Sequence, residues 1–208
     1  MKSFKNYKIV PKVINKDLAL FLYNYISLKR EVNKILIESK FISPWQMEWG
    51  VWEDQLTKNI YCHYGDLAME TLLMKVQPIV EKETNMQLQP NYSYVKMYKT
   101  GDDLFRHTDR FACEISVTMN LGGDSWPIYV EPSGKKGKKG VPIHLGRGDM
   151  LIYRGDKLEH WREPLQGKEH VQVFLHYNNV NSKDSKNNLY DARPLLGLPQ
   201  DFKRKRNN

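Results

Sequence analysis

The sequence predicts an α+β protein, a β-sandwich or barrel with two N-terminal helices laid on the outside of one sheet. Three observations lead there. Two segments in the first 88 residues repeat apolar side chains at three- and four-residue steps. From Gln89 onward, short runs of Val, Ile, Tyr and Phe are punctuated by Gly, Asp and Pro. There is no βα alternation and no fixed-period repeat, which excludes a doubly wound sheet, a solenoid and a propeller.

The elements follow in order. The first helix spans Asp17 to Ser39, with Leu18, Phe21, Leu22, Tyr25, Ile26, Val32, Ile35 and Leu36 on its apolar stripe and Asn15 or Asp17 placed to cap it. The second spans Gly65 to Met86, where Pro78 is expected to kink it. Between them, Trp45, Trp49 and Trp52 read as core or groove lining, because aromatic rings supply much buried area. The predicted strands are Tyr92–Tyr98, Glu114–Leu121, Pro127–Glu131, Pro142–Leu145, Asp149–Tyr153, Glu159–Trp161 and His170–Tyr177. The chain therefore divides into helical support over residues 1–88, a β core over 89–180 and a basic, largely irregular tail over 181–208.

Composition narrows the class. At 208 residues, 40% hydrophobic and 27% charged, the chain has ordinary globular usage and can bury a core without staples, so a disordered chain is excluded. No apolar run reaches the length of a membrane span, and the polar, basic start from Met1 to Lys8 lacks a signal core, so the expected location is cytoplasmic. Cys62 and Cys113 share no CxxC spacing and read as reduced, buried thiols. The net charge is +8. Residues 181–208 hold seven Lys/Arg against three Asp, and a second cluster, Lys135, Lys136, Lys138 and Lys139, is interleaved with glycines. Such clusters bind nucleic acid or simply solvate a loop, and no aromatic residue interleaves the lysines as a stacking platform requires.

The β core carries an unusual set of ligand-type side chains. His107 and Asp109 form an H-x-D pair, and His160 follows 53 residues later on a strand of its own. Alternate residues of a strand face the same way about 6–7 Å apart, so one imidazole and one carboxylate can converge on one ion. Two His and one carboxylate form the facial triad of non-haem Fe(II) oxygenases. Upstream, Tyr98-Lys99-Thr100-Gly101 precedes His107; downstream, Gly148-Asp149-Met150-Leu151-Ile152-Tyr153-Arg154-Gly155 leads into His160, and Pro164 follows.

With those flanks the pattern Y-x-x-G-x(5)-H-x-D, then G-D-x-[LI]-x-Y-x-G, then H-x-x-x-P resembles the Fe(II)/2-oxoglutarate-dependent dioxygenases, and within them the prolyl-4-hydroxylase-like subgroup with its small phage-type and bacterial members. The resemblance covers roughly Gln89 to Tyr177. It implies a double-stranded β-helix, the cupin-like jelly roll, with Fe(II) held by His107, Asp109 and His160 and with 2-oxoglutarate and O2 as co-substrates, ascorbate serving as a reductant. It implies that Tyr98 meets the far carboxylate of 2-oxoglutarate. The basic partner of that carboxylate departs from the subgroup, whose Lys or Arg follows the second His by nine or ten residues; Glu169 and His170 stand there. Arg162, on the same strand face as His160, is the first candidate, with Lys168 and His170 as the others. Gln172 shares the face of His170. Arg110 is placed to orient Asp109, or else forms a surface ion pair, and Trp126 and Tyr129 line either a substrate groove or the core. His63, His144 and His176 are assigned no role.

The resemblance implies hydroxylation of a C–H bond with release of succinate and CO2, and the retained Asp109 favours that over halogenation. By family analogy the substrate is a peptide or protein, hydroxylated at proline. The basic loop and tail support nucleic acid as the alternative substrate, and a non-catalytic metal-binding barrel is the third reading.

Overall fold

The computed structural model describes residues 4, 6–52 and 60–202. Two antiparallel sheets face each other. The larger runs β1-β8-β5-β10-β3-β2 and the smaller β4-β9-β6-β7. The strands are β1 (Tyr7–Val10), β2 (Tyr61–Tyr64), β3 (Leu88–Lys99), β4 (Leu104–His107), β5 (Ile115–Gly123), β6 (Ile128–Val130), β7 (Val141–Ile143), β8 (Met150–Tyr153), β9 (His160–Arg162) and β10 (Glu169–Asn179). This is the jelly roll that the sequence predicts. All seven predicted runs are strands. The other three, β1, β2 and β4, have four residues each, too few for alternation to stand out from chance.

Helices α1 (Lys16–Glu38) and α2 (Leu67–Thr84) pack on the outer face of the larger sheet. Asn15 caps α1 by accepting from Leu18 N at 2.8 Å, and Asp66 caps α2 by accepting from Ala68 N and Met69 N. The alternation of the long strands sorts their side chains. Val95 and Met97 of β3, Val171, Val173 and Leu175 of β10, Val117 and Met119 of β5, and Met150 and Ile152 of β8 form one apolar core with Leu22, Ile26, Leu73 and Val76 of the helices. Their alternates, Tyr92, Tyr94, Lys96 and Tyr98, then His170, Gln172, Phe174 and His176, then Ser116 and Thr118, face the smaller sheet across the barrel interior. Register fixes the rows: His170 pairs with Tyr98, Gln172 with Lys96, Phe174 with Tyr94 and His176 with Tyr92.

The tryptophans of the linking stretch depart from the expectation. Trp45 is 83% exposed and Trp49 is 37% exposed, while Trp52 is half-buried and donates to Asn33 Oδ1. Trp45 precedes a one-turn 3-10 segment (Met47–Trp49) that Trp49 ends, and Lys29 of α1 lies 5.9 Å from the Trp49 ring. Both cysteines are free and buried, as expected. No described helix is long and apolar enough to cross a membrane.

After β10 the chain makes 3-10 turns over Ser185–Ala192, with Tyr190, Asp191 and Ala192 in left-handed backbone conformation. Arg193 anchors this segment. It is fully buried and donates to Glu70 Oε1 at 2.7 Å, to the carbonyl of Asn91 at 3.2 Å and to that of Tyr190 at 2.8 Å. The basic residues Lys203, Arg204, Lys205 and Arg206 lie outside the described residues. Removing one partner of a buried, hydrogen-bonded ion pair leaves an uncompensated charge and costs about 3–5 kcal/mol. Arg193→Met is therefore expected to lower unfolding stability by about that amount in urea, while Glu70→Gln/Arg193→Met recovers part of it; an unchanged midpoint in the single variant would contradict this anchoring.

Candidate metal centre

The pairing of β4 with β9 builds the site. His107 lies directly opposite His160 in the ladder, and their rings sit 4.3 Å apart. Asp109 follows β4 by two residues, and its N–H donates to the carbonyl of Gly155 at 2.8 Å, tying it to the turn after β8. Its Oδ1 is 3.5 Å from His107 Nε2 and 3.6 Å from His160 Nε2. One ligand atom from each of the three residues falls within 4.8 Å of the others.

The surroundings prepare these atoms for a cation. His107 Nδ1 is 2.6 Å from the carbonyl of Phe105, and His160 Nδ1 is 3.0 Å from that of Leu158. A carbonyl only accepts, so each Nδ1 holds a hydrogen, and each Nε2, the nitrogen left for a metal, is aimed at Asp109. Burial opposes ionisation of Asp109, but the charge of His160 and hydrogen bonds from both imidazoles outweigh it and hold the carboxyl far below its ordinary range. Its second oxygen is 3.1 Å from Ser116 Oγ, which is also 3.0 Å from His176 Nδ1. The His107 side chain is 25% exposed and that of His160 only 3%, so the centre opens on the His107 side.

Two residues along β9, on the same inward face, lies Arg162. It is 2% exposed, its guanidinium stacks 4.6 Å from the Trp126 ring, and Nη1 donates to the Trp126 carbonyl at 2.5 Å. Nε has no partner, and no carboxylate pairs with Arg162 among the described residues. Burial pushes its pKa down to about 10. A buried guanidinium lacking an anion is costly, and the group that suits it is a carboxylate entering from the metal side. Tyr98 lies in the same cluster, 4.8 Å ring to ring from Trp126. The donor set of two imidazoles and a carboxylate fits a first-row divalent ion, and the orphaned Nε of Arg162 fits a dicarboxylate co-substrate.

The remaining sequence candidates fall apart spatially. His170 is buried beside Trp126, with Nδ1 2.8 Å from the Asp124 carbonyl and Nε2 2.6 Å from Gln172 Oε1. Burial, then the charge of Arg162, lowers its pKa to about 4, so it lines the pocket as a neutral ring and not as a cation. Lys168 is exposed in the turn before β10 and is not brought to Arg162. Arg110 turns away from Asp109, donates to Asp191 Oδ1 at 2.8 Å and stacks over Tyr92, because the nearly buried Asp191 requires a cation. Trp126 is interior, while Tyr129 is half-buried and stacks on Trp161 at 5.4 Å. Sequence reasoning missed Ser116, Lys96 and His176, which reach the interior with Tyr92 and Tyr94. Their signal was the recurrence of polar side chains between the apolar positions of β3, β5 and β10, broken in β10 by Phe174.

No family model and no curated protein sequence matches the chain. Solved structures do. A prolyl-4-hydroxylase from Pseudomonas putida aligns over 85% of this chain and 94% of its own at 13% identity, with a TM-score of 0.57. The viral collagen prolyl hydroxylase of Paramecium Bursaria Chlorella virus-1, solved with 2-oxoglutarate, aligns over 85% and 98% at 14% identity and 0.56. The epimerase SnoN, solved with Fe3+, alpha ketoglutarate and nogalamycin RO, aligns over 84% and 79% at 12% identity and 0.56. At these identities the likeness is one of fold. The chain has the double-stranded β-helix of the 2-oxoglutarate/Fe(II) oxygenases.

Two measurements test this geometry. A Cβ at Gly155 would overlap Asp109 Oδ2 and Ser116 Oγ. Gly155→Ala is therefore expected to weaken Fe(II) binding tenfold or more by calorimetry, as losses in support of metal ligands do; wild-type affinity would refute the contact. His170 is neutral when folded and titrates near 6.5 when unfolded. Its folded pKa is depressed, so the unfolded chain takes up the proton first and stability falls as pH drops from about 6.5 toward 4. The thermal midpoint of metal-free protein should decline from pH 7 to pH 5, more weakly in His170→Asn, and a flat profile would count against the buried neutral ring.

Proposed function

We propose that this chain is an Fe(II)- and 2-oxoglutarate-dependent oxygenase that hydroxylates a C–H bond. The observation that carries the reading is the pairing of a His-Asp-His centre with a buried, carboxylate-less arginine two residues deeper on the same strand face. His107, Asp109 and His160 hold the iron. Arg162, with Tyr98, receives the far carboxylate of 2-oxoglutarate; this guanidinium, on β9, takes the role that the prolyl-hydroxylase pattern gives to a residue of the last strand. Trp126, Leu104 and Leu165 keep water from that end of the pocket. When bound, iron with 2-oxoglutarate and O2 supplies the oxidising chemistry, with succinate and CO2 as co-products. The protein orients the co-substrate, holds both imidazoles in one tautomer, and admits substrate from the exposed His107 side.

Hydroxylation of peptidyl proline is the substrate reading that the names of two similar structures support. The third structure carries a different chemistry on the same fold, and a fold does not specify its substrate.

Anaerobic addition of Fe(II) and 2-oxoglutarate should produce a visible charge-transfer band that is absent in His107→Ala. Arg162→Met should raise the 2-oxoglutarate Kd by about 100-fold, the equivalent of ~3 kcal/mol for a truncated buried charge pair. The same variant removes an unpaired buried cation, so the ligand-free protein should unfold at an equal or higher temperature. A variant that loses stability and keeps co-substrate affinity would assign Arg162 a structural role instead.

A further inference from the structure

We propose that the β6–β7 loop, residues 131–140, is a docking site that grips single-stranded nucleic acid by its phosphates beside the metal centre. Delivery of that strand as substrate rests on the oxygenase reading; the docking itself does not.

Register places the loop. Val130 pairs with His160 on one side and with Val141 on the other, and His160 pairs with His107. Both ends of the loop therefore leave the smaller sheet at the level of the two histidine ligands. The loop then folds back across the sheet. Arg106, the residue before His107, donates to the carbonyl of Lys138 at 2.5 Å, and Glu159, the residue before His160, accepts from Gly137 N at 2.8 Å.

The loop is built rather than slack. Glu131 accepts from Ser133 N, Ser133 Oγ and Lys135 N at 3.1, 2.6 and 2.8 Å. Gly140 lies so close to the Trp161 ring that a Cβ would overlap it, and Arg106 stacks on that ring at 4.2 Å. The nearby carboxylates of Glu131 and Glu159 are thus engaged with backbone amides and Arg106. The ammonium groups of Lys135, Lys136, Lys138 and Lys139 are left exposed, with no ion pair among the described residues. A constrained backbone that concentrates four like charges has no structural use for them, and it fits a polyanion.

The exposed rings beside the loop choose nucleic acid over an acidic polypeptide, and the four lysines serve its phosphates as point charges. Phe105, 63% exposed, and Phe111, 38% exposed, flank the H-x-D ligands and offer rings to unstacked bases. The whole chain is basic, with a net charge of +8 and a pI near 9.3. The recessed centre favours a single strand, because a duplex must first extrude its base.

The test is fluorescence anisotropy of the full chain with a fluorescein-labelled oligothymidylate, across a salt series. The comparison is the variant Lys135→Gln/Lys136→Gln/Lys138→Gln/Lys139→Gln, with polyglutamate as competitor. Wild type should bind, and the variant should bind at least tenfold more weakly. The slope of log affinity against log salt should become shallower by about 3, as four phosphate contacts at roughly 0.7 each require. Wild-type affinity in the variant, no binding by wild type, or polyglutamate binding as tightly as the oligonucleotide would each overturn the proposal. If the variant unfolds earlier than wild type, Lys136→Gln/Lys139→Gln takes its place, with half the slope change expected. The Fe(II)–2-oxoglutarate band should be unchanged in either variant. Its absence from wild type that still binds oligonucleotide would overturn the oxygenase reading and leave the docking site standing.

Discussion

The structure depends on the two-residue alternation of the larger sheet. Val95, Met97, Val171, Val173, Leu175, Val117 and Met119 face the helices and close the core. The residues between them face the smaller sheet and make a polar interior. A slip of one residue in any of these strands would put Lys96, Gln172 or Ser116 into the helix interface and strip the barrel of its polar lining. Apolar burial therefore does two things at once. It holds the helices on the sheet, and it sets the direction in which every interior polar group points.

The interior is costly, and nearly all of its cost is offset locally. His170 pairs with Asp124 and Gln172, His176 with Ser116, and Asp109 with both imidazoles and Ser116. Arg162 breaks the pattern. It is as buried as Arg193 is, yet Arg193 has Glu70 and three carbonyls, while Arg162 has one carbonyl. Among the described residues Arg193 is a saturated, structural cation, whereas Arg162 keeps an unpaired Nε that fits the anion of the proposed co-substrate.

The smaller sheet turns strand pairing into chemistry. The β4–β9 register brings His107 and His160 face to face, and the β6–β9 register brings the lysine loop to the same level. Arg106 and Glu159, next to the ligands in sequence, hold that loop to the sheet. The outer end of the barrel thus presents the candidate metal centre and a positively charged rim on one short ladder.

Much of this was legible in the chain. The seven principal strands, both helices, the helices-outside layout and the shared face of Arg162 and His160 follow from local pattern, while the His107–Asp109–His160 set was implied by the family resemblance that the flanking motifs carry. Periodicity reports which way a side chain points along its own element. It carries no information on what lies opposite. Hence the sequence left Arg162, Lys168 and His170 as rivals, and only tertiary packing made the first a buried cation, the second an exposed one and the third a neutral ring. Hence too Arg110 went to Asp191, 81 residues away, and Trp45, apolar enough for a core, stayed in solvent. The sequence also showed no aromatic among the loop lysines, and the fold supplied Trp161 beneath the loop and Phe105 beside the metal ligands from other strands. Composition and local pattern determined a sandwich or barrel with helices outside, and the motif resemblance implied the jelly roll and its ligand types; long-range pairing decided which charges are satisfied, since burial and counterion are properties of neighbours that the chain brings together only on folding.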